Sequence, residues 1–303
     1  MPTTTTSSVS SHRAAPDVGE ASPTFEERFL SGRELYGDDF DASQVAAWFA
    51  DEQHGYAELY GSDPQRHEYG YTALNEYHGF SRLPASARYA HALGFGSNFG
   101  DELEPILHQT ERLTLLDSSD RYVVDKLKGV SVSYILAQPN GRIALDDASV
   151  DLITCFGVLH HIPNVSAVLA EFGRVMTPGG TLLVREPTTT MGDWRYARKG
   201  LTARERGIPR HLFRSMVEKG GFVIDSAAPC YFPPWVRLCE RFGVATFGNR
   251  GATAIDSMFA RAFDGWYAYH RSHVAARFAP ASLFIRAHRS GPVGAREIAQ
   301  ATP

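Results

Sequence analysis

Two short apolar runs joined by one amphipathic helix restrict the fold of this chain more than any other feature. The first run lies within residues 150–163 and the second within residues 178–187. Between them, apolar residues recur at helical spacing over residues 165–176, with Asn164 as the predicted N-cap. A strand, a helix and a second strand in this order predict a parallel pair of strands.

The same alternation of strands and helices extends over most of the chain. The strands predicted from apolar runs are Ala90–Phe95, Leu113–Leu116, Val130–Leu136, Leu152–Phe156, Thr181–Arg185, Phe222–Asp225 and, last, Ala281–Arg286. Helices are predicted between them, including one that starts at Pro209. The pattern predicts an α/β fold, with a mostly parallel sheet and helices on both faces.

The composition divides the chain into further parts. Residues 1–24 are rich in Thr, Ser and Pro, so we predict a disordered tail. The helical pattern of residues 25–86 predicts an N-terminal helical cap on a main domain, which spans residues 87–290. Within that domain, residues 233–273 predict a helical insertion before the last strand, packed against the N-terminal helices. Residues 291–303 are predicted to be a flexible C-terminus.

Two aromatic stripes lie on the predicted helices outside the alternating core. They consist of Trp48, Phe49 and Tyr56 in the cap and Phe259, Phe263 and Trp266 in the insertion. We expect the two segments to pack together over the strand ends and close a pocket, as lids that exclude water do. The alternative is that the aromatics of the cap only dock it on the main domain.

Charge and cysteine content exclude several classes of function. The 303-residue chain has a net charge of −4 and a pI of about 6.3, which argues against a nucleic-acid substrate. Three unpatterned cysteines predict reduced thiols in a cytoplasmic protein and no zinc site. No metal site is predicted. Apolar runs are shorter than a membrane span needs, and the N-terminus lacks the pattern of a signal peptide.

Glycines and polar residues follow the predicted strands at the edge where parallel sheets bind ligands. Gly94, Phe95 and Gly96 close the first strand, and glycines there let the backbone approach a ligand. Asp117 and Ser118 end the second strand. A carboxylate at that position can accept hydrogen bonds from ribose hydroxyls, although it could equally cap a helix.

His160 and His161 follow the fourth strand, and Glu186 ends the fifth. A hydroxyl nucleophile has a pKa far above 7, so its reaction gains from a general base such as a histidine oriented by a carboxylate. The two histidines and the glutamate are therefore candidate catalytic residues. The alternative is that the histidines only shape a pocket. In either case, one of the two adjacent side chains must point away from it.

The segment Leu159-His160-His161-Ile162-Pro163, followed after one helix by Pro178-Gly179-Gly180, resembles class I S-adenosylmethionine-dependent methyltransferases. Several small-molecule methyltransferases, including sugar O-methyltransferases, have this His-His pair after the fourth strand, and the resemblance covers roughly residues 87–286. It implies a Rossmann-like sheet of six parallel strands with an antiparallel last strand, S-adenosylmethionine as the cofactor, and Asp117 as its ribose-binding acid. The implied acceptor is a small molecule. A hydroxyl of a sugar or natural product comes first, and an amine or carbon nucleophile second.

Three positions depart from the pattern of that family. Ala92 stands where an acidic residue usually holds the amino-acid end of the cofactor, and Asn98 replaces a third glycine. Asn98, or the shifted Gly100-Asp101-Glu102, could substitute. Pro139 stands where an acid usually contacts adenine, so the side-chain amide of Gln138 or Asn140 is the predicted replacement.

Phe156, at the end of the fourth strand, completes the predicted cofactor contacts. The departures also support a competing hypothesis, a repurposed fold that binds a ligand or partner without transferring a methyl group. A nicotinamide oxidoreductase is disfavoured, because residues 150–187 do not have the pattern of that class of enzymes.

The polar loop after the fifth strand is a candidate for substrate contacts. Trp194 could stack on a substrate or anchor the loop. Arg204-Glu205-Arg206 is predicted to be a solvated run of charges.

Overall fold

The computed structural model describes residues 23–60 and 69–291, without the side chains of residues 56–60. The predicted disordered tail and flexible C-terminus lie outside the described residues, apart from residues 23, 24 and 291. The side chain of Tyr56, in the first aromatic stripe, also lies outside them. Within the described ranges, no helix has both the length and the apolarity that crossing a bilayer requires.

One eight-stranded sheet forms the centre of the molecule. Its strands are β1 (Ala92–Phe95), β2 (Leu113–Asp117), β3 (Lys126–Leu127), β4 (Val130–Leu136), β5 (Val150–Phe156), β6 (Met176–Pro187), β7 (Phe222–Cys230) and β8 (Ser282–Arg289). Their order across the sheet is β3-β4-β2-β1-β5-β6-β8-β7. The five neighbouring strands β4, β2, β1, β5 and β6 are parallel to one another. Strand β8 lies between β6 and β7 and runs antiparallel to both. The predicted mostly parallel sheet with a reversed last strand is confirmed, and only the short edge strand β3 was not predicted.

Six α-helices surround the sheet within the described residues. They are α1 (Ala42–Tyr60), α2 (Thr72–His78), α3 (Val165–Val175), α4 (Arg210–Lys219), α5 (Pro233–Arg241) and α6 (Arg250–Ala262). One apolar core contains Phe172 of α3 and Phe213 of α4. A second contains Leu74 of α2 and Val236 of α5. Helices therefore cover both faces of the sheet, as predicted.

The insertion between β7 and β8 is helical and contacts the N-terminal segment at two places. Helix α6 packs against α2 and β7. Tyr269, near the end of the insertion, packs in a small apolar cluster with Phe29 and Leu30. The expectation that the insertion packs against the N-terminal helices is confirmed.

The aromatic stripe of the insertion has different partners from those we predicted. Phe259 and Phe263 stack on Phe232, with ring centroids 5.4 and 5.1 Å apart, and Trp266 contacts Phe278. The prediction that this stripe packs against the stripe of α1 is therefore corrected. Its rings fill the space between α5, α6 and the end of β7, where nearer apolar surface was available.

Helix α3 is capped by a distant residue. The Asp38 carboxylate accepts the Ser166 N–H at 2.8 Å and the Ser166 hydroxyl at 2.6 Å. Asn164, the predicted N-cap, makes no side-chain capping bond, because its backbone is not in the extended conformation that a capping side chain needs. Asp38 thus ties the N-terminal segment to the first turn of α3.

Candidate active site

An open cleft lies at the carboxyl ends of the central parallel strands. It contains about 950 Å³ of empty space, counting the solvent at its open side. The residues around it come from the ends of β1, β2, β4 and β5, from the loops that follow them, and from α1 and α3. They are Phe49, Glu52, Gln53, Phe95, Gly96, Asn98, Leu116, Asp117, Ser118, Ala137, Gln138, Pro139, Gly141, Arg142, Gly157, Val158, His161, Ile162, Pro163 and Val168.

Helix α1 covers this cleft. The Trp48 indole N–H donates to the His161 carbonyl at 2.7 Å, and the Gln53 amide donates to the Ser118 carbonyl at 2.7 Å. The helix therefore bridges the loops that follow β5 and β2. Phe49 and Glu52, on the same face, line the cleft itself. The first of the two predicted lid segments is thus at the strand ends, as expected.

The turn after β1 brings the backbone close to the cleft. Gly96 has a φ of +68°, and a Cβ there would lie 2.5 Å from the Val158 methyl groups. Only glycine fits this position without displacing the loop after β5. Asn98, also left-handed with φ +47°, donates its backbone N–H to Asp117 at 3.0 Å.

Asp117 lies in the cleft at the end of β2. Its buried carboxylate accepts the backbone N–H groups of Asn98 and Ser118, the latter at 2.7 Å. Burial raises the pKa of Asp117, and these hydrogen bonds oppose that rise. The cap of the next short helix is Ser119, which accepts the Arg121 N–H, so Asp117 does not serve as that cap. Its carboxylate faces the site that sequence reasoning assigned to ribose.

Three predicted cofactor residues do not line the cleft. Gly94 lies within β1, and a Cβ there would meet the Ser97 hydroxyl at 2.5 Å. Phe156 is a core residue, with its ring against Phe80 and Phe284 in the apolar core that also contains Leu74 of α2. The amide oxygen of Asn140 accepts the Arg142 N–H at 3.0 Å in a tight local turn.

The predicted roles of Phe156 and Asn140 are corrected accordingly, and Gly94 has a packing role. Gln138 and Pro139 take the place of Asn140 beside the cleft. Gln138, the other predicted replacement for the missing acid at this edge, therefore remains in position to meet a ligand.

Glu186 fixes the turn that carries the two histidines. Its fully buried Oε1 accepts the backbone N–H groups of Val158 at 2.9 Å and Leu159 at 2.8 Å. Its Oε2 lies 2.8 Å from Nδ1 of His160. One carboxylate thus orients both the backbone of residues 158–159 and one imidazole ring.

His160 is held between two carboxylates. Its Nδ1 faces Glu186, and its Nε2 lies 3.4 Å from Oε1 of Glu205. Burial alone would lower the pKa of His160, but the hydrogen bonds to Glu186 and Glu205 outweigh it and raise the pKa to about 9. At neutral pH both nitrogens of this ring carry a proton, so His160 has no lone pair with which to act as a base.

His161 lines the cleft and has a different partner. Its Nδ1 lies 2.8 Å from Oε2 of Glu52 on α1. Burial and the neighbouring charge of His160 lower its pKa, while the hydrogen bond to Glu52 opposes this. The ring centroids of the two histidines are 4.1 Å apart. Of the predicted pair, His161 is the neutral ring that faces the ligand site.

Two functional residues were missed by sequence reasoning. The sequence spacing could have pointed to Glu52, since it lies four residues after the buried Trp48 and shares its helix face. It could also have pointed to Glu205, because Thr202 and Glu205 have the spacing of a reciprocal capping pair. In the structure their backbone N–H groups donate to each other's side chains at 3.1 and 3.3 Å. That spacing predicts an ordered turn at Glu205 and not a solvated one.

The predicted solvated charge run is wrong for two of its three residues. Glu205 and Arg206 are buried, whereas Arg204 is partly exposed and pairs with Asp51. The Arg206 guanidinium donates to five backbone carbonyls, those of Tyr36, Leu159, His160, Ile162 and Pro163. Irregular segments leave carbonyls without partners, and a buried guanidinium with five N–H donors can satisfy them.

Trp194 anchors its loop. Its indole N–H donates to the Thr190 carbonyl at 2.8 Å, and its ring stacks on Tyr36 at 5.8 Å. It does not line the cleft. Of the two roles considered for it, the structure supports the anchor.

Glu102 lies beneath the turn after β1. It is buried and accepts the Ser97 hydroxyl. Burial raises its pKa to about 7. It does not line the cleft, so it supports the turn from below.

Comparison with known proteins gives a family match for the central part of the chain. Residues 93–184, from β1 into β6, match the family described as a methyltransferase domain. The chain contains a class I S-adenosylmethionine-dependent methyltransferase domain. The predicted family, fold, enzyme class and cofactor are confirmed.

Curated relatives of this methyltransferase are distant. A ubiquinone biosynthesis O-methyltransferase of Xylella fastidiosa (strain 9a5c) is 23% identical over 171 residues, which cover 50% of this chain and 70% of the relative. Its counterpart in Xanthomonas oryzae pv. oryzae (strain PXO99A) is 26% identical over 141 residues, 46% of this chain and 51% of the relative. The match therefore spans between about half and 70% of these proteins.

Solved structures with similar folds include the N-methyltransferase NodS from Bradyrhizobium japonicum WM9 in complex with S-adenosylhomocysteine. Its TM-score is 0.48 at 14% identity, covering 80% of this chain and 99% of that one. An S-adenosylmethionine-dependent methyltransferase from Mesorhizobium loti has a TM-score of 0.46 at 16% identity, covering 69% and 95%.

The residues that line the cleft of the methyltransferase domain fit the cofactor, independently of the similarity to known proteins. The backbone turn at Gly96 borders the cleft without a side chain, and Asp117 presents a buried carboxylate at the end of β2. Together with the apolar Leu116 and Ala137, these residues match a nucleoside with vicinal hydroxyls.

Proposed function

We propose that this methyltransferase transfers a methyl group to a hydroxyl of a small molecule, with His161 as the general base. One observation carries the proposal. His161 and Asp117 line the same cleft, and the His161 ring is oriented by the Glu52 carboxylate. A base and the residues for the cofactor thus share one site.

S-adenosylmethionine, when bound, supplies a methyl group already activated on a positively charged sulfur. Asp117 would hold its ribose hydroxyls, and the bare backbone of Gly96 would lie beside it in the cleft. Gln138 and Pro139 line the cleft after β4 and would lie beside the adenine of the cofactor. Because the donor is activated, the main task of these residues is positioning.

The proton of the acceptor hydroxyl passes to His161. Its Nδ1 must carry a proton, since the Glu52 carboxylate only accepts, so the lone pair lies on Nε2. The lowered pKa of His161 keeps this nitrogen unprotonated at neutral pH. Once His161 is protonated, Glu52 stabilises its charge. His160 and Glu186 hold the turn that presents His161.

The acceptor is a neutral molecule with an apolar body. Around His161 the cleft is lined by Phe49, Val158 and Ile162. Nearby carboxylates disfavour an anionic acceptor. The curated relatives are named O-methyltransferases, which supports oxygen over nitrogen or carbon. A hydroxyl of a natural product or sugar is the first acceptor to test.

The experiment measures formation of S-adenosylhomocysteine with a panel of phenols, sugars, amines and activated carbon acids. We expect turnover with hydroxyl compounds, lost in His161→Gln, while S-adenosylhomocysteine still binds. Turnover with amines or carbon acids that His161→Gln leaves intact would assign an N- or C-methyltransferase. Binding of the cofactor without any transfer would support the repurposed fold.

A further inference from the structure

Three carboxylates converge on two imidazole rings beside the cleft. Glu186 and Glu205 face His160, and Glu52 faces His161. All five residues are buried or nearly so. This cluster comes from four separate parts of the chain, namely α1, the turn after β5, the end of β6 and the loop before α4.

Each imidazole has a carboxylate behind it. Nδ1 of His160 lies 2.8 Å from Glu186, and Nδ1 of His161 lies 2.8 Å from Glu52. In metal sites, a histidine ligand commonly donates its second N–H to a carboxylate, which fixes the tautomer and makes the ligating nitrogen more basic. Both rings of this pair therefore have the support that histidine ligands use. An ion that binds Nε2 of His160 displaces the proton on that nitrogen into solvent.

The spacing of the donor atoms suits a shared ion. The hydrogen bond between Nε2 of His160 and Oε1 of Glu205 is long, at 3.4 Å, compared with 2.8 Å for the contact of His160 with Glu186. Two ligands at about 2.1 Å from one zinc ion, in tetrahedral geometry, lie roughly 3.4 Å apart. The atoms that His160, His161 and Glu205 can offer a metal all lie within 4.8 Å of one another.

Two described arginines, Arg198 and Arg206, act electrostatically on carboxylates of the cluster. Both direct N–H groups to backbone carbonyls and not to those carboxylates. Oε1 of Glu52 is enclosed and has no hydrogen-bond partner among the described residues. A buried carboxylate oxygen without a partner is costly, and a divalent cation would offset that cost.

We propose that His160, His161 and Glu205 form a binding site for one divalent transition-metal ion of the zinc class, with Glu52 and Glu186 supporting the two rings. Two imidazoles and one carboxylate match zinc and not magnesium or calcium, which prefer oxygen ligands throughout. The site extends the proposed function in one respect. Ligation takes the lone pair of His161, so the metal-bound form cannot accept the proton of a hydroxyl, and the ion acts as a reversible inhibitor.

The first test measures binding without cofactor or acceptor. The full chain, freed of metal with a chelator, is titrated with ZnCl2 by calorimetry and with Co2+ by visible absorption. We expect one ion per chain and a Co2+ spectrum of low coordination number. Glu205→Gln should weaken binding at least tenfold, and Glu186→Gln by about 10–100-fold. His211→Gln removes an exposed imidazole and should change nothing.

Retained binding of S-adenosylhomocysteine by Glu205→Gln would show that this variant is folded. Absence of a one-to-one complex, or equal affinity in the wild type and Glu205→Gln, would overturn the metal site. Methyl transfer gives the second test, because Zn2+ should inhibit it with the midpoint found for binding. Activation by Zn2+ would overturn the inhibitory role. A bound ion in a protein that methylates no hydroxyl would overturn the proposed function alone.

Discussion

Nδ1 of His161 and Oε2 of Glu52 lie 2.8 Å apart although 109 positions separate them in the chain. The histidine belongs to the methyltransferase domain, and the glutamate belongs to the helical cap that covers its cleft. The proposed base is therefore complete only when α1 is in place. Trp48, one turn earlier on α1, fixes the same loop through the His161 carbonyl.

The contact between His161 and Glu52 predicts different effects on activity for substitutions of the two residues. His161→Gln should lower kcat by about 10²–10⁴, the usual contribution of a general base, with little change in S-adenosylhomocysteine affinity. Activity of the wild type should fall as the pH drops through the lowered pKa of His161, since the protonated ring cannot accept a proton. Glu52→Gln should shift that fall to lower pH, because Glu52 opposes the lowering. Assays at several pH values in chelator-treated buffer check this, and an unshifted profile in Glu52→Gln would contradict it.

Asp117 should contribute to cofactor affinity. Asp117→Ala is expected to weaken S-adenosylhomocysteine by about 1.5–3 kcal/mol, the range for hydrogen bonds to a charged group. Part of the loss would come from the Asn98 N–H, which the carboxylate also accepts. Asp117→Asn keeps the shape and should lose less. Asp125→Asn, on an exposed residue, serves as the control in calorimetry. Equal affinity in all four proteins would remove Asp117 from the ribose site.

Arg206 should matter for stability more than its charge suggests. Arg206→Met leaves five buried carbonyls without their donor and should lower the free energy of unfolding by about 3 kcal/mol or more. Arg204→Met, two residues earlier, removes a partly exposed pair with Asp51 and should cost less than about 1 kcal/mol. Urea denaturation compares the two variants. Similar losses would show that the carbonyls find other partners.

Glu102 should make stability depend on pH. Burial raises its pKa from 4.5 to about 7, so the folded protein holds a proton that the unfolded chain releases. The stabilisation is fully present below pH 4.5 and is lost as the pH rises through about 7. Glu102→Gln mimics the protonated form. It should therefore gain up to about 3 kcal/mol over the wild type above that pH.

The measurement for Glu102 is the free energy of unfolding of wild type and Glu102→Gln from pH 4 to 8. Glu104→Gln, on an exposed neighbour, is the matched control. Parallel curves for wild type and Glu102→Gln would show that Glu102 ionises at its ordinary pKa.

Much of the fold was predictable because its strands are locally encoded. The apolar run Val130–Leu136 became β4 with the same bounds, and the helix after β5 starts at the predicted Val165. Strand–helix alternation, glycine stops and the motif after the fourth strand are all contained in short stretches of chain. The short β3 was missed, because its two residues pair with β4 and carry no periodic pattern.

The partners of the site residues were less predictable. The sequence determined that two histidines follow β5, that Asp117 ends β2 and that an acid ends β6. It did not determine that Glu52 orients His161, that Glu205 reaches His160 or that Asp38 caps α3. These contacts join segments far apart in the chain, and they form only when α1 and the loop before α4 pack against the strand ends. The tertiary structure also separated the pKa values of two adjacent histidines, because burial and carboxylate contacts act on each ring separately.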